Sequence, residues 1–199
     1  MGHIDYYFSL LSSFTYLAGD RFREIADRHG ATVRYKPFDI LAMFDRLGAP
    51  RPSDRSEARK LYRMQELKRW AARLGKPMRF QPAFWPTNAA PASYAVIAAQ
   101  EAGGGDLDGL VQRLLKAVWE EDRDIAEDAV ITAALEASGF DPMLSMTGLL
   151  NGAEIYARNL EDGLNAGIFG APFYIVTGTD ERFWGQDRLE MLDAYLGTL

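Results

Sequence analysis

The sequence predicts an α/β fold in which a β-α-β unit and an α-β-β-α unit bracket a large helical block. Three observations carry that expectation. The chain opens with an aromatic and branched run at residues 4–11 (IDYYFSLL), and an alternating run follows one helix-length later at residues 31–38 (ATVRYKPF). A third apolar run, Phe173-Tyr174-Ile175-Val176, stands near the other end. Nearly everything between the second and third runs follows the helical period instead.

Each element has its own warrant. After the first strand, Ser12 or Ser13 caps a helix expected to run to about His29, with Gly30 as its stop. Phe14, Leu17, Ala18, Phe22, Ile25 and Ala26 share one face of it. Strand, helix and strand in so short a stretch predict parallel strands joined by a right-handed crossover. Residues 53–74 form a charged amphipathic helix with Leu61, Met64, Leu67, Trp70, Ala71 and Leu74 on one side. Residues 88–102 are Ala-rich and helical, and Gly103-Gly104-Gly105 ends them. Asp106 then caps a helix in which Leu107, Leu110, Val111, Leu114, Leu115, Val118 and Trp119 keep the i, i+3, i+4, i+7 rhythm. Residues 127–137 give one more helix and residues 143–166 one or two. Beyond Gly167-Ile168-Phe169-Gly170 come the third strand, a turn at residues 177–180, a short partner strand at residues 182–184 and a last helix at residues 186–196, capped by Gln186 or Asp187. Without the block the order reads βαβ then αββα, the thioredoxin plan. Residues 1–40 with 151–199 are expected to form that domain and residues 41–150 an inserted helical domain.

Composition excludes several classes of function. The 199 residues are 48% apolar and 25% charged, with a net charge of −6. That is an ordinary globule with no bias toward nucleic acid or an anionic membrane surface. No apolar run approaches a membrane span, and no basic-then-apolar leader opens the chain, so the cytoplasm is the default compartment. The absence of cysteine excludes disulfides, thiolate metal sites and a cysteine nucleophile. With only two histidines, no transition-metal site is expected. His29 falls at a helix C-terminus, where a cation is stabilised. The run Glu120-Glu121-Asp122-Arg123-Asp124 reads as a solvated helix end.

The chemistry concentrates in three segments. Ser12 and Thr15 are spaced like the cysteines of a C-x-x-C redox motif, with oxygen in place of sulfur. Unpaired N–H groups and the positive dipole end meet at such a strand-to-helix turn and favour a thiolate. A thiolate brought in by a ligand can use that environment, with the Ser12 hydroxyl donating to the sulfur. Serine is equally a preferred N-cap, contributing about 1 kcal/mol, so capping is the competing reading. Gly170-Ala171-Pro172-Phe173 leads into the third strand. A cis proline there turns the N–H and C=O of Ala171 outward, where they pair with an extended peptide-like ligand. A trans proline at a strand start is the alternative. Together the two segments point to a thiol peptide, of which glutathione is the obvious example. The third segment is Phe183-Trp184-Gly185-Gln186-Asp187-Arg188. Its N–H groups suit a carboxylate and Asp187 an ammonium, although Asp is also a common cap there.

These segments, read as Leu11-Ser12-Ser13-Phe14-Thr15-Tyr16-Leu17, Gly167-Ile168-Phe169-Gly170-Ala171-Pro172 and Phe183-Trp184-Gly185-Gln186-Asp187-Arg188, resemble the 2-hydroxychromene-2-carboxylate isomerase family. Arg69-Trp70-Ala71, Leu74-Gly75-Lys76-Pro77 and Trp85-Pro86-Thr87-Asn88 extend the resemblance over nearly the whole chain. Its kin are the kappa-class glutathione transferases and, further off, the DsbA-type oxidoreductases. The resemblance implies glutathione as cofactor and Ser12 as the catalytic serine that meets its sulfur. It implies cofactor contacts from Phe14, Arg59, Ala171, Pro172, Trp184, Gly185, Gln186 and Asp187. On the substrate side it implies Arg46, Trp85 and Asn88, with Phe38, Phe84 and Trp85 shaping an aromatic slot. The implied reaction interconverts 2-hydroxychromene-2-carboxylate and trans-o-hydroxybenzylidenepyruvate, in a cytoplasmic homodimer acting on a small aromatic carboxylate. This chain departs from the family pattern at Ser13, where proline is usual, and at Phe44-Asp45-Arg46-Leu47-Gly48-Ala49, where relatives often read Phe-Lys-x-x-Gly-Asn. Two alternatives stay open: a kappa-like transferase or peroxidase that consumes glutathione, and a non-catalytic thioredoxin-fold binding module.

Overall fold

The first strand is apolar on both faces, and the structure buries it between two layers. The computed structural model describes residues 2–199. In it β1 (His3–Phe8), β2 (Thr32–Pro37), β3 (Phe173–Val176) and β4 (Glu181–Trp184) form one sheet in the order β2–β1–β3–β4. β1 and β2 are parallel, with Ile4 opposite Val33. β3 runs antiparallel to both neighbours, with Tyr174 opposite Tyr6 on one side and Phe183 on the other. The pleat then sorts the side chains by parity. Ile4, Tyr6, Phe8, Tyr174 and Val176 join one apolar cluster, and Tyr7, Phe173 and Ile175 join another. On the first face Tyr6 stacks on Tyr174 at 5.2 Å, with Phe22 4.6 Å from Tyr6. Such pairs contribute roughly 0.5–1.5 kcal/mol each beyond area burial.

The chain between the first two strands is two helices, α1 (Ser13–Ala18) and α2 (Arg21–Arg28), where the sequence pattern predicts one. Gly19 makes the break at φ +52°, and a Cβ there would meet Lys76 Nζ at 2.1 Å. The apolar stripe continues across the kink, which is why periodicity alone does not reveal it. α3 (Ile40–Arg46) has no counterpart among the predicted elements. Asp39 caps it by accepting from the Leu41 and Ala42 N–H groups at 2.9 and 3.0 Å. It covers the second face of the sheet with Met43 and Phe44.

The expected long helix begins later, as α4 (Glu57–Leu74) capped by Ser56, with a separate 3-10 turn at Pro52–Asp54. It ends at Gly75 in the left-handed region. Leu67 and Ala71 are buried as expected, but Leu61 is 63% exposed. α5 (Ala90–Ala102), α6 (Leu107–Trp119), α7 (Asp128–Ala137), α8 (Leu144–Thr147) and α9 (Leu149–Asn165) follow. Asp106 does cap α6, accepting from Gly109 N–H at 3.0 Å. The apolar cluster containing Ile4 and Tyr6 continues through Leu110, Trp119 and Leu135, so the helical block shares its core with the sheet. The last predicted helix is a 3-10 turn at Gln186–Arg188 that runs into α10 (Leu189–Leu196). No side chain caps it; Gln186 is instead buried and engaged elsewhere. None of the helices is long and apolar enough to cross a membrane, among the described residues.

Candidate active site

Three chain segments converge where β1 ends and β3 begins. The turn after β1 is closed by the Ser12 N–H donating to Ser9 O at 3.0 Å. Ser12 itself is extended (φ −89°, ψ 113°) and sits as the N-cap of α1. Its Oγ accepts from Thr15 N–H at 3.2 Å, so it does cap the helix. The same hydroxyl donates to Ala171 O at 3.0 Å, across 159 positions of sequence. Capping and site are therefore one arrangement: the cap takes a lone pair and leaves the proton free to point across the turn. The Ser13 and Phe14 N–H groups find no partner among the described residues. Thr15, the other motif position, is fully buried with its Oγ1 unpartnered, so of the two motif positions Ser12 is the one that presents a hydroxyl to the site.

The second segment is joined to the first by that hydrogen bond. The Ala171–Pro172 bond is cis. Ala171 and Pro172 are buried, and the Ala171 N–H has no partner among the described residues. Pro172 O accepts from Gly185 N–H at 2.9 Å, which ties in the third segment. Gly170 has to be small: a Cβ there would lie 2.5 Å from Trp184 Nε1. Trp184 is half exposed and packs edge-on against Phe169 at 4.8 Å. Gln186 lies beneath, its side-chain oxygen accepting from Arg21, which also donates to Leu17 O at 3.1 Å. Gln186 thus anchors the turn, while exposed Asp187 pairs with Arg188 at 2.8 Å. Phe14, Tyr62, Trp70, Trp184, Gln186 and Asp187 line an open groove of about 630 Å³.

Comparisons with known proteins agree with this fold. The DSBA-like thioredoxin domain matches residues 3–197. The 2-hydroxychromene-2-carboxylate isomerase of Pseudomonas putida is 31% identical over 204 residues, covering 98% of this chain and 95% of its own. The chain belongs to the 2-hydroxychromene-2-carboxylate isomerase family. A solved structure of a 2-hydroxychromene-2-carboxylate isomerase superposes with a TM-score of 0.79 at 27% identity, covering 98% of this chain and 95% of that one. The chain is also 25% identical over 200 residues to the Caenorhabditis elegans protein named Glutathione S-transferase kappa 1, with 95% of this chain and 88% of that protein covered.

Within this isomerase family member, the residues expected on the substrate side scatter. Arg46 is exposed and holds Glu161 through two hydrogen bonds, at 2.6 and 3.1 Å. Asp45 likewise pairs with Arg51. Asn88 is exposed, and its Oδ1 accepts from Ala90 N–H at 3.2 Å at the start of α5. Trp85 does reach the site: its indole N–H donates to Leu11 O at 3.0 Å, and its ring packs against Trp119. Phe38 is wholly buried in the core and Phe84 is exposed. Arg59 is exposed in the first turn of α4, and its side chain has no partner among the described residues. Arg63, which sequence reasoning passed over, donates from Nη2 to Ser13 Oγ at 2.8 Å. Its only sequence signal is the spacing of Arg55, Arg59 and Arg63 at four-residue steps.

Proposed function

We propose that the protein is a glutathione-dependent isomerase that exchanges the cis and trans forms of an aromatic enone carboxylate, as in the degradation of aromatic compounds. The observation that carries this reading is the Ser12 hydroxyl joined to the carbonyl of Ala171, beside an unpartnered Ala171 N–H. The relatives named isomerases and the one named a glutathione transferase support it.

The residues present fit a thiol peptide. Ala171 offers an N–H and a C=O to an extended backbone. The groove from Phe14 to Trp184, Gly185, Gln186 and Asp187 accommodates the rest, with Asp187 to take an ammonium in exchange for Arg188. Arg59, unpaired among the described residues and outside the groove lining, is the family-implied cation for a carboxylate. When bound, glutathione supplies a thiol nucleophile that adds reversibly at the benzylic carbon of the enone and is regenerated once the former double bond has rotated. The chain's own part lies in one proton. The Ser12 hydroxyl has a single proton, and Ala171 O holds it. A peptide-like ligand whose N–H pairs with Ala171 O competes with Ser12 for that acceptor and weakens its hold on the proton. The Ser12 proton is then released to donate toward a sulfur at the turn. A hydrogen bond to the charged form lowers a thiol's pKa, so a Ser12 hydroxyl turned to the sulfur favours the thiolate. The reading implies a cytoplasmic protein, glutathione being the bulk cytosolic thiol, and the family resemblance adds a homodimer.

The test is turnover of trans-o-hydroxybenzylidenepyruvate, followed by its enone absorbance, with glutathione well below substrate concentration. The proposal expects many turnovers per glutathione, no loss of free thiol and no reaction without it. The transferase named among the relatives favours one alternative, conjugation, which would consume thiol in step with substrate. Isomerisation that proceeds equally without glutathione would overturn the proposal.

A further inference from the structure

Arginines on this surface generally find a carboxylate: Arg46 holds Glu161, Arg51 holds Asp45 and Arg69 holds Glu66. Arg55 and Arg63 do not. Arg63 donates to Ser13 Oγ at 2.8 Å and lies over the face of Trp85, its guanidinium carbon 5.7 Å from the ring centroid. Trp85 is fixed in turn by its indole N–H on Leu11 O. Arg55 lies over Phe44 at 5.3 Å and donates only to Pro50 O, at 3.4 Å. Two cations are thus each held on an aromatic face with no counter-charge among the described residues.

That arrangement is costly unless something completes it. A guanidinium withdrawn from water loses hydration that a ring face only partly restores. Burial, and the neighbouring Arg55, push the Arg63 guanidinium below its ordinary pKa. Only one of its five N–H donors is engaged within the protein. A guanidinium held over an indole keeps its remaining N–H donors free, and a planar oxyanion matches their fork. The hydroxyl that steers Arg63 belongs to Ser13, next in sequence to Ser12, so the cation is built into the same turn. Neither Arg55, Arg63 nor Trp85 lines the groove that runs from Phe14 to Asp187. Half-buried Trp85, the ring beneath Arg63, suits an aromatic acid better than a peptide.

We propose that Arg63, seconded by Arg55, is the anion seat of the second reactant, taking the carboxylate of a planar aromatic acid bound beside Ser12. Ser13 and Trp85 are its positioning residues. The assignment rests on the reading of Ser12 as the thiol site, and it moves the substrate cation from Arg46 to Arg63.

The probe is trans-cinnamate, an aromatic acid without the ketone needed for reaction, titrated calorimetrically into wild type, Arg63→Met, Arg63→Lys and Ser13→Ala. Glutathione is titrated into each protein in parallel. Loss of a charge-assisted fork predicts cinnamate binding weaker by about tenfold to a hundredfold in Arg63→Met. Arg63→Lys, which keeps the stem and the charge, serves if Arg63→Met does not fold, and loses affinity by a smaller factor. Ser13→Ala weakens cinnamate without abolishing it, cinnamyl alcohol ignores every substitution, and glutathione affinity stays at its wild-type value throughout. Cinnamate affinity that is absent in wild type or unchanged in the Arg63 variants overturns the proposal. Parallel loss of glutathione and cinnamate overturns it too, because the anion held would then be glutathione's own carboxylate. Arg63-dependent cinnamate binding in a protein that ignores glutathione would keep the anion seat and sink the isomerase reading instead.

Discussion

Ser12→Ala tests both roles of the hydroxyl at once. In the unliganded protein Ser12 Oγ accepts from Thr15 N–H at 3.2 Å and donates to Ala171 O at 3.0 Å, and the residue is 8% exposed. Losing a serine N-cap costs about 1 kcal/mol. Losing the bridge costs about another 1 kcal/mol, since Ala171 O is left without its donor in a buried place. The sum, about 2 kcal/mol, corresponds to a melting temperature lower by roughly 4–8 °C for a chain of this size. Urea unfolding followed by far-ultraviolet circular dichroism should show a lower midpoint at unchanged slope, because no surface is gained or lost. Glutathione should raise the midpoint of wild type by mass action and that of Ser12→Ala less. An unliganded Ser12→Ala protein within about 0.5 kcal/mol of wild type would refute the bridge between the first turn and the proline turn.

Two further outcomes follow from the same geometry. Gly185 has φ +101°, and a Cβ there would lie 2.5 Å from Asp187 Oδ1, so Gly185→Ala should cost about 1–3 kcal/mol of stability and displace Asp187. Calorimetry should then show weakened glutathione binding, and unchanged affinity would remove Asp187 from the ligand's contacts. Burial lifts the Asp108 carboxyl from its ordinary 3.8 to about 6, against the opposing effect of the Tyr35 hydroxyl that donates to it at 2.9 Å. The folded-state value lies above the unfolded one, so the favourable contribution is complete below the unfolded value and is lost as pH rises through about 6. Relative to Asp108→Asn, wild type should therefore lose up to about 3 kcal/mol between acid and neutral pH. A pH-independent difference between the two urea curves would contradict this.

Much of the frame is legible because single residues decide it. The run Phe173-Tyr174-Ile175-Val176 is the third strand as read. Asp106 caps α6 because its carboxylate meets an unpaired N–H, a local event that sequence records. What sequence does not record is which chemistry another part of the chain has already engaged. Arg46 looks available for a substrate until Glu161, 115 positions away, takes its guanidinium. Arg63 looks like one more surface cation on α4 until Trp85 and Ser13 enclose it. The kink at Gly19 is hidden for a related reason: α1 and α2 keep one apolar stripe across it, and what demands the glycine is a backbone at φ +52°, which the stripe does not record. α3 escapes because it is only seven residues long, although Asp39 before Ile40 carried a cap signal.

The central claim is that a ligand's thiol meets the Ser12 hydroxyl. It is tested most directly by isothermal titration of glutathione and of S-methyl-glutathione into wild type and Ser12→Ala. The account predicts micromolar-to-millimolar binding of glutathione to wild type, weakened by the methyl group and weakened again when the hydroxyl is removed. Equal binding of both peptides to both proteins, or no binding at all, would contradict it and leave Ser12 as a helix cap that happens to touch Ala171.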